Sequence, residues 1–164
     1  VAKKPEEVLE VTSKKLLGLV KAYTETKQFE QVGKDIANGI RVRTRLGKGD
    51  DNKKLKELKA STKKKRKRYK KNLSEFTKPN KSNLTATGQM LDSIKSKTDG
   101  SKIIIDFRKK RTTELDGTPS ELTNTEVAIF SEQLGRLFFG LTPLQRKEFA
   151  RRVKAELLAF FRNN

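Results

Sequence analysis

The chain has 164 residues, of which 33% are hydrophobic and 36% charged, and its formal net charge is +19. That length suits one domain with a modest core and is too short for two good ones, so the expectation is a single domain over residues 1–164. The absence of cysteine and histidine removes disulfides, thiol nucleophiles and thiolate metal sites, together with the commonest general base and transition-metal ligand.

So large a positive excess calls for an acidic partner, nucleic acid or solvent ions, and it favours a finished state that includes partners. No run approaches the ~18–20 apolar residues needed to cross a bilayer, and no signal peptide with a cleavage site is visible. The expectation is a soluble product of a cytoplasm with no membrane partner, and Val1 fits a removed initiator methionine or a processed end.

Pro5 in a first helical turn, with Glu6 and Glu7 beside the positive helix end, opens a helical segment. Val8, Leu9, Leu16, Leu17, Leu19, Val20 and Tyr23 form its loose apolar stripe. Thr24-Glu25-Thr26 interrupts the pattern, and Phe29, Val32, Ile36 and Ile40 resume it, with Gly33 and Ala37 allowing close approach on the same side. Two helices, or one that bends, are expected. From Gly39 onward Ile40, Val42, Thr44 and Leu46 alternate with Arg41, Arg43 and Arg45, which reads as a half-buried strand with a basic outer face or as a helix that runs on. In either case three arginines are presented together, before a turn at Gly47-Lys48-Gly49-Asp50-Asp51.

Residues 53–71 hold twelve lysines and arginines against one acid, a net of +11. Leu55 and Leu58 suggest a helical start, but Lys63, Lys64, Lys65, Arg66, Lys67 and Arg68 offer no apolar face to bury. An exposed, extended basic arm over about 48–80 is expected, either a solvated loop or a binding surface.

Next comes Lys81-Ser82-Asn83-Leu84-Thr85-Ala86-Thr87-Gly88-Gln89-Met90-Leu91-Asp92-Ser93-Ile94. Asn83 or Thr85 is placed to cap a short helix that carries Met90, Leu91 and Ile94 on one buried face. With Pro79-Asn80, this stretch resembles the Pro-x-Lys-Ser-Asn-Leu-Thr-x-Thr-Gly-Gln-x-Leu-x-Ser-Ile signature of tailed-bacteriophage neck and tail-completion proteins. The likeness extends from about Phe29 to Phe160, with the middle motif as its specific part. It implies an α+β subunit of a homo-oligomeric ring at the head–tail junction, between portal-side proteins and the tail, which keeps the channel continuous for DNA. The virion neck or tail, assembled in the host cytoplasm, is the implied location. The lysine-rich arm departs from the family pattern.

Lys102-Ile103-Ile104-Ile105-Asp106-Phe107 is the clearest strand, apolar enough to be central or covered on both faces, and Asp99-Gly100 marks a turn before it. Residues 109–125 read as a polar surface loop. Asn124 or Thr125 caps a helix with Val127, Ile129, Phe130 and Leu134 that ends at Gly135. Leu137-Phe138-Phe139-Gly140-Leu141 is expected as a second strand beside Ile103. Thr142-Pro143 then starts a C-terminal amphipathic helix with Phe149, Val153, Leu157 and Phe160 on one side and Arg146, Lys147, Arg151 and Lys154 on the other.

The fold expected from these elements is α+β: a long N-terminal helical segment, a small sheet around Ile103–Phe107, a C-terminal helix and the basic arm. No nucleophile–base pair, carboxylate pair in a cleft or metal cage is legible, so neither an enzyme nor a cofactor is expected. Asp50-Asp51 reads as a solvated turn, and Gly47-x-Gly49 lacks the flanking strand and helix of a phosphate cradle. Phosphate contact needs only clustered cations, which Arg41, Arg43, Arg45 and Lys63 to Arg68 supply, but few aromatics lie near enough to read bases. Any binding of DNA would therefore be insensitive to sequence, and a nonspecific nucleic-acid-binding protein is the rival to a connector subunit. Phe138, Phe139, Phe149, Val153 and Leu157 are the candidate core and assembly residues.

Overall fold

The computed structural model describes residues 5–107 and 110–163. They form an α+β fold of six α-helices and one two-stranded antiparallel sheet. Helices α1 (Pro5–Thr24) and α2 (Lys27–Arg45) are separated at the break that Thr24-Glu25-Thr26 predicts. The Thr26 side chain caps α2 by accepting from the Phe29 amide at 3.3 Å, so the interruption is a deliberate stop and start. The side chains of Val8 and Leu9, and those of Pro5, Glu6 and Glu7, lie outside the described residues.

Helix α2 is the centre of the packing. One side meets the hairpin of β1 (Ile94–Asp99) and β2 (Lys102–Phe107), and it also touches α1 and α6 (Pro143–Asn163). Gly33 is the point of closest approach: a Cβ built there would lie 2.9 Å from Ile103 and 3.1 Å from Ser96. The sequence expectation for Gly33 is thus met, with the hairpin as the element that comes close, and Ala37 is buried in the main core.

The strand partner of β2 is β1 and not residues 137–141. Ile94 pairs with Phe107 and Asp99 with Lys102 across a turn at Gly100, whose φ of 54° suits glycine. Opposed residues share a face, so Ile94, Ser96, Ile103, Ile105 and Phe107 line the side toward α2, while Lys95, Lys97, Ile104 and Asp106 line the other. Ile104 is therefore only half-buried, and β2 is neither central nor covered on both faces. Three consecutive isoleucines reflected β-propensity and not double burial.

The main core joins Ala37 and Ile40 of α2 to Leu55, Met90, Leu91, Ile94, Ala128 and Phe138, with Ile105, Phe107, Val127 and Phe139 packed around it. Two short helices border it: α4 (Gln89–Asp92) and α5 (Asn124–Gln133). The cap of α4 is Gly88, at φ 80°, in place of Asn83 or Thr85, and Ile94 has already entered β1. The three apolar residues of the motif are buried as expected, but on a turn of helix followed by a strand. Thr123 caps α5 in a reciprocal box with Glu126, one residue before the expected position, and the chain leaves α5 at Gly135 with φ 75°.

A second cluster lies where α1, α2 and α6 meet. Tyr23, fully buried, stands 5.6 Å from the Phe29 ring and 5.9 Å from Phe160, and its hydroxyl donates to Glu156 at 3.0 Å. Arg152 bridges Glu156 (2.7 Å) and Asp35 (2.5 Å), closing α6 onto α2. Burial, then the bond to Glu156, pushes the Tyr23 phenol up to about 12, and the Arg152 bond holds Asp35 below the usual carboxylate range.

Candidate nucleic-acid and assembly interface

Arg41, Arg43 and Arg45 do not form one basic face, because residues 40–45 are helical and not a strand. In a strand, alternate residues share a side; in a helix two residues are separated by roughly 200° of rotation, which sends Arg43 opposite Arg41 and Arg45. Arg43 points inward. It is buried, and its guanidinium donates to the carbonyls of Phe138 (2.6 Å) and Gly140 (2.7 Å) and to Gln145 Oε1 (2.7 Å). Arg45 is ion-paired with Asp92 and lies 3.9 Å above the Phe76 ring. Arg41 is half-buried. The outward positions instead carry Val42 and Leu46, both largely exposed.

The lysine run is a helix, α3 (Ala60–Arg68), followed by a 3₁₀ turn at Lys70–Asn72. The 48–80 stretch is anchored to the body, unlike the exposed arm expected, because Leu55, Leu58 and Arg66 are all buried. Arg66 donates to the Lys81 carbonyl at 2.7 Å. Lys63 pairs with Glu57 and Lys65 with Asp116, each at 3.2 Å. Asp116 is drawn down to about 2, mainly by its bond from the Thr118 hydroxyl and then by Lys65. Lys64, Lys67 and Arg68 stay exposed, with the Arg68 guanidinium 5.4 Å from the Tyr69 ring and Lys70 and Lys71 following. Of the six cations from Lys63 to Arg68, three thus remain on one open surface.

The aromatic candidates divide as well. Phe138 is fully buried, while Phe139 stacks on Phe107 with centroids 4.7 Å apart. Phe149, Val153 and Leu157 do share the inner side of α6, yet each is half-buried and no residue of that helix is fully covered. Leu144 and Leu158 on α6, Leu16 and Leu17 on α1, and Ile129, Phe130 and Leu134 at α5 are exposed.

Three features escape the sequence reading. Asn83, with no exposure, donates to the Phe76 carbonyl (2.8 Å) and the Arg45 carbonyl (3.3 Å) and accepts from Thr77 (2.7 Å). Leu84 beside it has φ 53°, a conformation that bulky residues rarely adopt. Arg136 is buried and donates to the Glu57 carbonyl at 3.2 Å; a lone cation between Leu134 and Leu137 was the available signal.

The described residues hold no group of three or more acids placed to bind a metal, and no described helix is long and apolar enough to cross a membrane. What the fold defines is an α+β protein organised on one central helix, with a motif-bearing turn sealed in its core and a cationic helix on its surface. Comparison with protein-family models, with curated proteins and with solved structures returns no match to this chain.

Proposed function

We propose that the chain is a structural subunit of the head–tail connector of a tailed bacteriophage, in the neck or tail-completion layer, working as a ring that joins the portal side to the tail around the DNA channel. The observation that carries the reading is the place of the family-like stretch in the fold. Asn83, Thr85, Leu91, Ser93 and Ile94 all have no exposure, so these five of the residues that resemble the signature lie where the fold closes. A signature of that kind specifies architecture and not a reacting site. The exposed leucines of α1 and α6 and the apolar side of α5 supply surface that assembly would bury. The work of such a subunit is assembly. Electron microscopy of the purified chain and of particles tests it: rings, or density at the head–tail junction, are expected, and a monomer never incorporated into particles would end the reading.

A second reading, nonspecific nucleic-acid binding, is favoured by one observation, the open cationic surface of Lys64, Lys67 and Arg68. If these three residues touch phosphates, replacing them with alanine should reduce the slope of log affinity against log salt by about 2.7, from ~0.9 per contact. An unchanged slope would remove them from any such interface.

A further inference from the structure

Between α3, the 84–90 turn and α5 lies a half-open cleft of about 260 Å³. Leu58, Leu84, Val127 and Leu134 give it apolar walls, and three arginines line it. Arg111 is neutralised in place by two 3.1 Å bonds to Glu114. Arg66 and Arg136 are different: at 4% and 9% exposed, neither has an acidic partner among the described residues. Carbonyls of Lys81 and Glu57 satisfy some of their N–H groups without supplying charge. The Arg136 Nε is buried with no hydrogen-bond partner. Burial pulls the Arg66 pKa down, and the nearby Arg136 charge adds to that. Two desolvated guanidiniums that repel each other persist at a cost unless an anion joins them.

We propose that this cleft is a docking site for a carboxylate side chain carried on an apolar segment of a partner protein, with the carboxylate between Arg66 and Arg136 and its apolar neighbours against Leu58, Val127 and Leu134. The walls decide between anions. A DNA phosphate is flanked by hydrophilic sugar and gains nothing from leucine and valine, whereas an acidic residue between aliphatic ones satisfies both halves of the site. The exposed cations suited to a duplex lie elsewhere, at Lys64, Lys67 and Arg68. Thr62, exposed at the cleft's edge, offers a way to fill it from within.

The test is thermal denaturation of the full chain with acetyl-Leu-Glu-Val-amide, its glutamine counterpart, inorganic phosphate and a short DNA duplex. The glutamate peptide should raise the melting temperature, and the glutamine peptide should bind about ten- to a hundredfold more weakly. Arg136→Met, which loses the bond to the Glu57 carbonyl and so melts lower than the parent, should still fold and should abolish the response, while Arg136→Lys keeps part of it. Thr62→Glu should also abolish it, by supplying the carboxylate in cis, and Thr62→Gln should not. Equal responses to both peptides, a stronger response to phosphate or duplex that the same variants remove, or no response to any probe would each overturn the proposal. The ligands are small and act on the isolated chain, so this failure and a failure to form rings are separate results.

Discussion

Arg43 separates a binding role from a structural one most sharply. Arg43→Met keeps the aliphatic stem and removes the three bonds to Phe138, Gly140 and Gln145. Bonds to a charged group contribute about 1.5–3 kcal/mol each, and against their sum stands the cost of holding a guanidinium out of water, several kcal/mol. Burial indeed lowers its pKa, the sign of a charge held against its preference. Methionine escapes that cost but leaves the carbonyls of Phe138 and Gly140 short of a donor, so a net loss of about 3–5 kcal/mol is expected. For a chain of this size that lowers the melting temperature by roughly 6–20 °C. Urea and thermal unfolding by far-ultraviolet circular dichroism measure it, with Arg41→Met, half-buried, as a control that should lose under about 1 kcal/mol. The reasoning is refuted if Arg43→Met melts with the parent yet loses DNA binding or assembly, for then the side chain serves a surface and not the loop at 138–140.

Other predictions follow from single contacts. Asn83→Ala removes a fully buried side chain together with its bonds to the Phe76 and Arg45 carbonyls and should cost about 2–3 kcal/mol in urea unfolding, a neutral result showing that the motif is not the structural centre. Gly49→Ala places a Cβ 2.6 Å from the Leu137 carbonyl, so it should lower the melting temperature by several degrees at about 1–3 kcal/mol, although its φ is ordinary. Tyr23 has a folded pKa near 12 against 10.0 unfolded, so its contribution is complete below pH 10 and disappears as pH rises through 12. On the order of 2 kcal/mol is at stake, and Tyr23→Phe should flatten the alkaline limb of stability relative to the parent. Phe149→Ala, half-buried, should cost about 1.5–2.5 kcal/mol, half the loss of a fully buried ring, and a larger loss in assembled material would locate that side of α6 at an interface.

Periodicity made most of the helices legible. The stripe of Phe29, Val32 and Ile40 and the small residues Gly33 and Ala37 gave both the existence of α2 and the side on which another element would close. Thr142-Pro143 likewise marked the start of α6, where the Thr142 hydroxyl accepts from the Gln145 amide. Alternation over 40–46 did not decide between strand and helix, because a seven-residue window with arginine at every second place fits both equally, and Gly39 does not break the helix. Strand pairing was also hidden: Ile94-Lys95-Ser96-Lys97-Thr98 has one large apolar residue, and its partner's apolar run suggested burial that an edge hairpin cannot provide. For the site, the cationic run showed where charge accumulates but not that Arg66 turns inward, since that depends on the Lys81 carbonyl fifteen residues away.

The arginines that the sequence assigns to a surface explain how so polar a chain closes at all. With a hydrophobic content of 33%, few apolar residues are available to fasten irregular segments to the helices. Arg43 fastens residues 138–140 to α2, Arg66 fastens Lys81 to α3, and Arg136 fastens Glu57 to the turn after α5, each through a backbone carbonyl. A guanidinium can satisfy several carbonyls while its stem covers apolar neighbours, which an aliphatic side chain cannot. The formal charge of +19 therefore overstates the charge available for phosphate, because part of it is internal and part is paired with Glu57, Asp92 and Asp116. A partner of this chain accordingly meets local features, the three open cations of α3 and the two uncompensated arginines beside α5, and recognition should depend on where those lie more than on total charge.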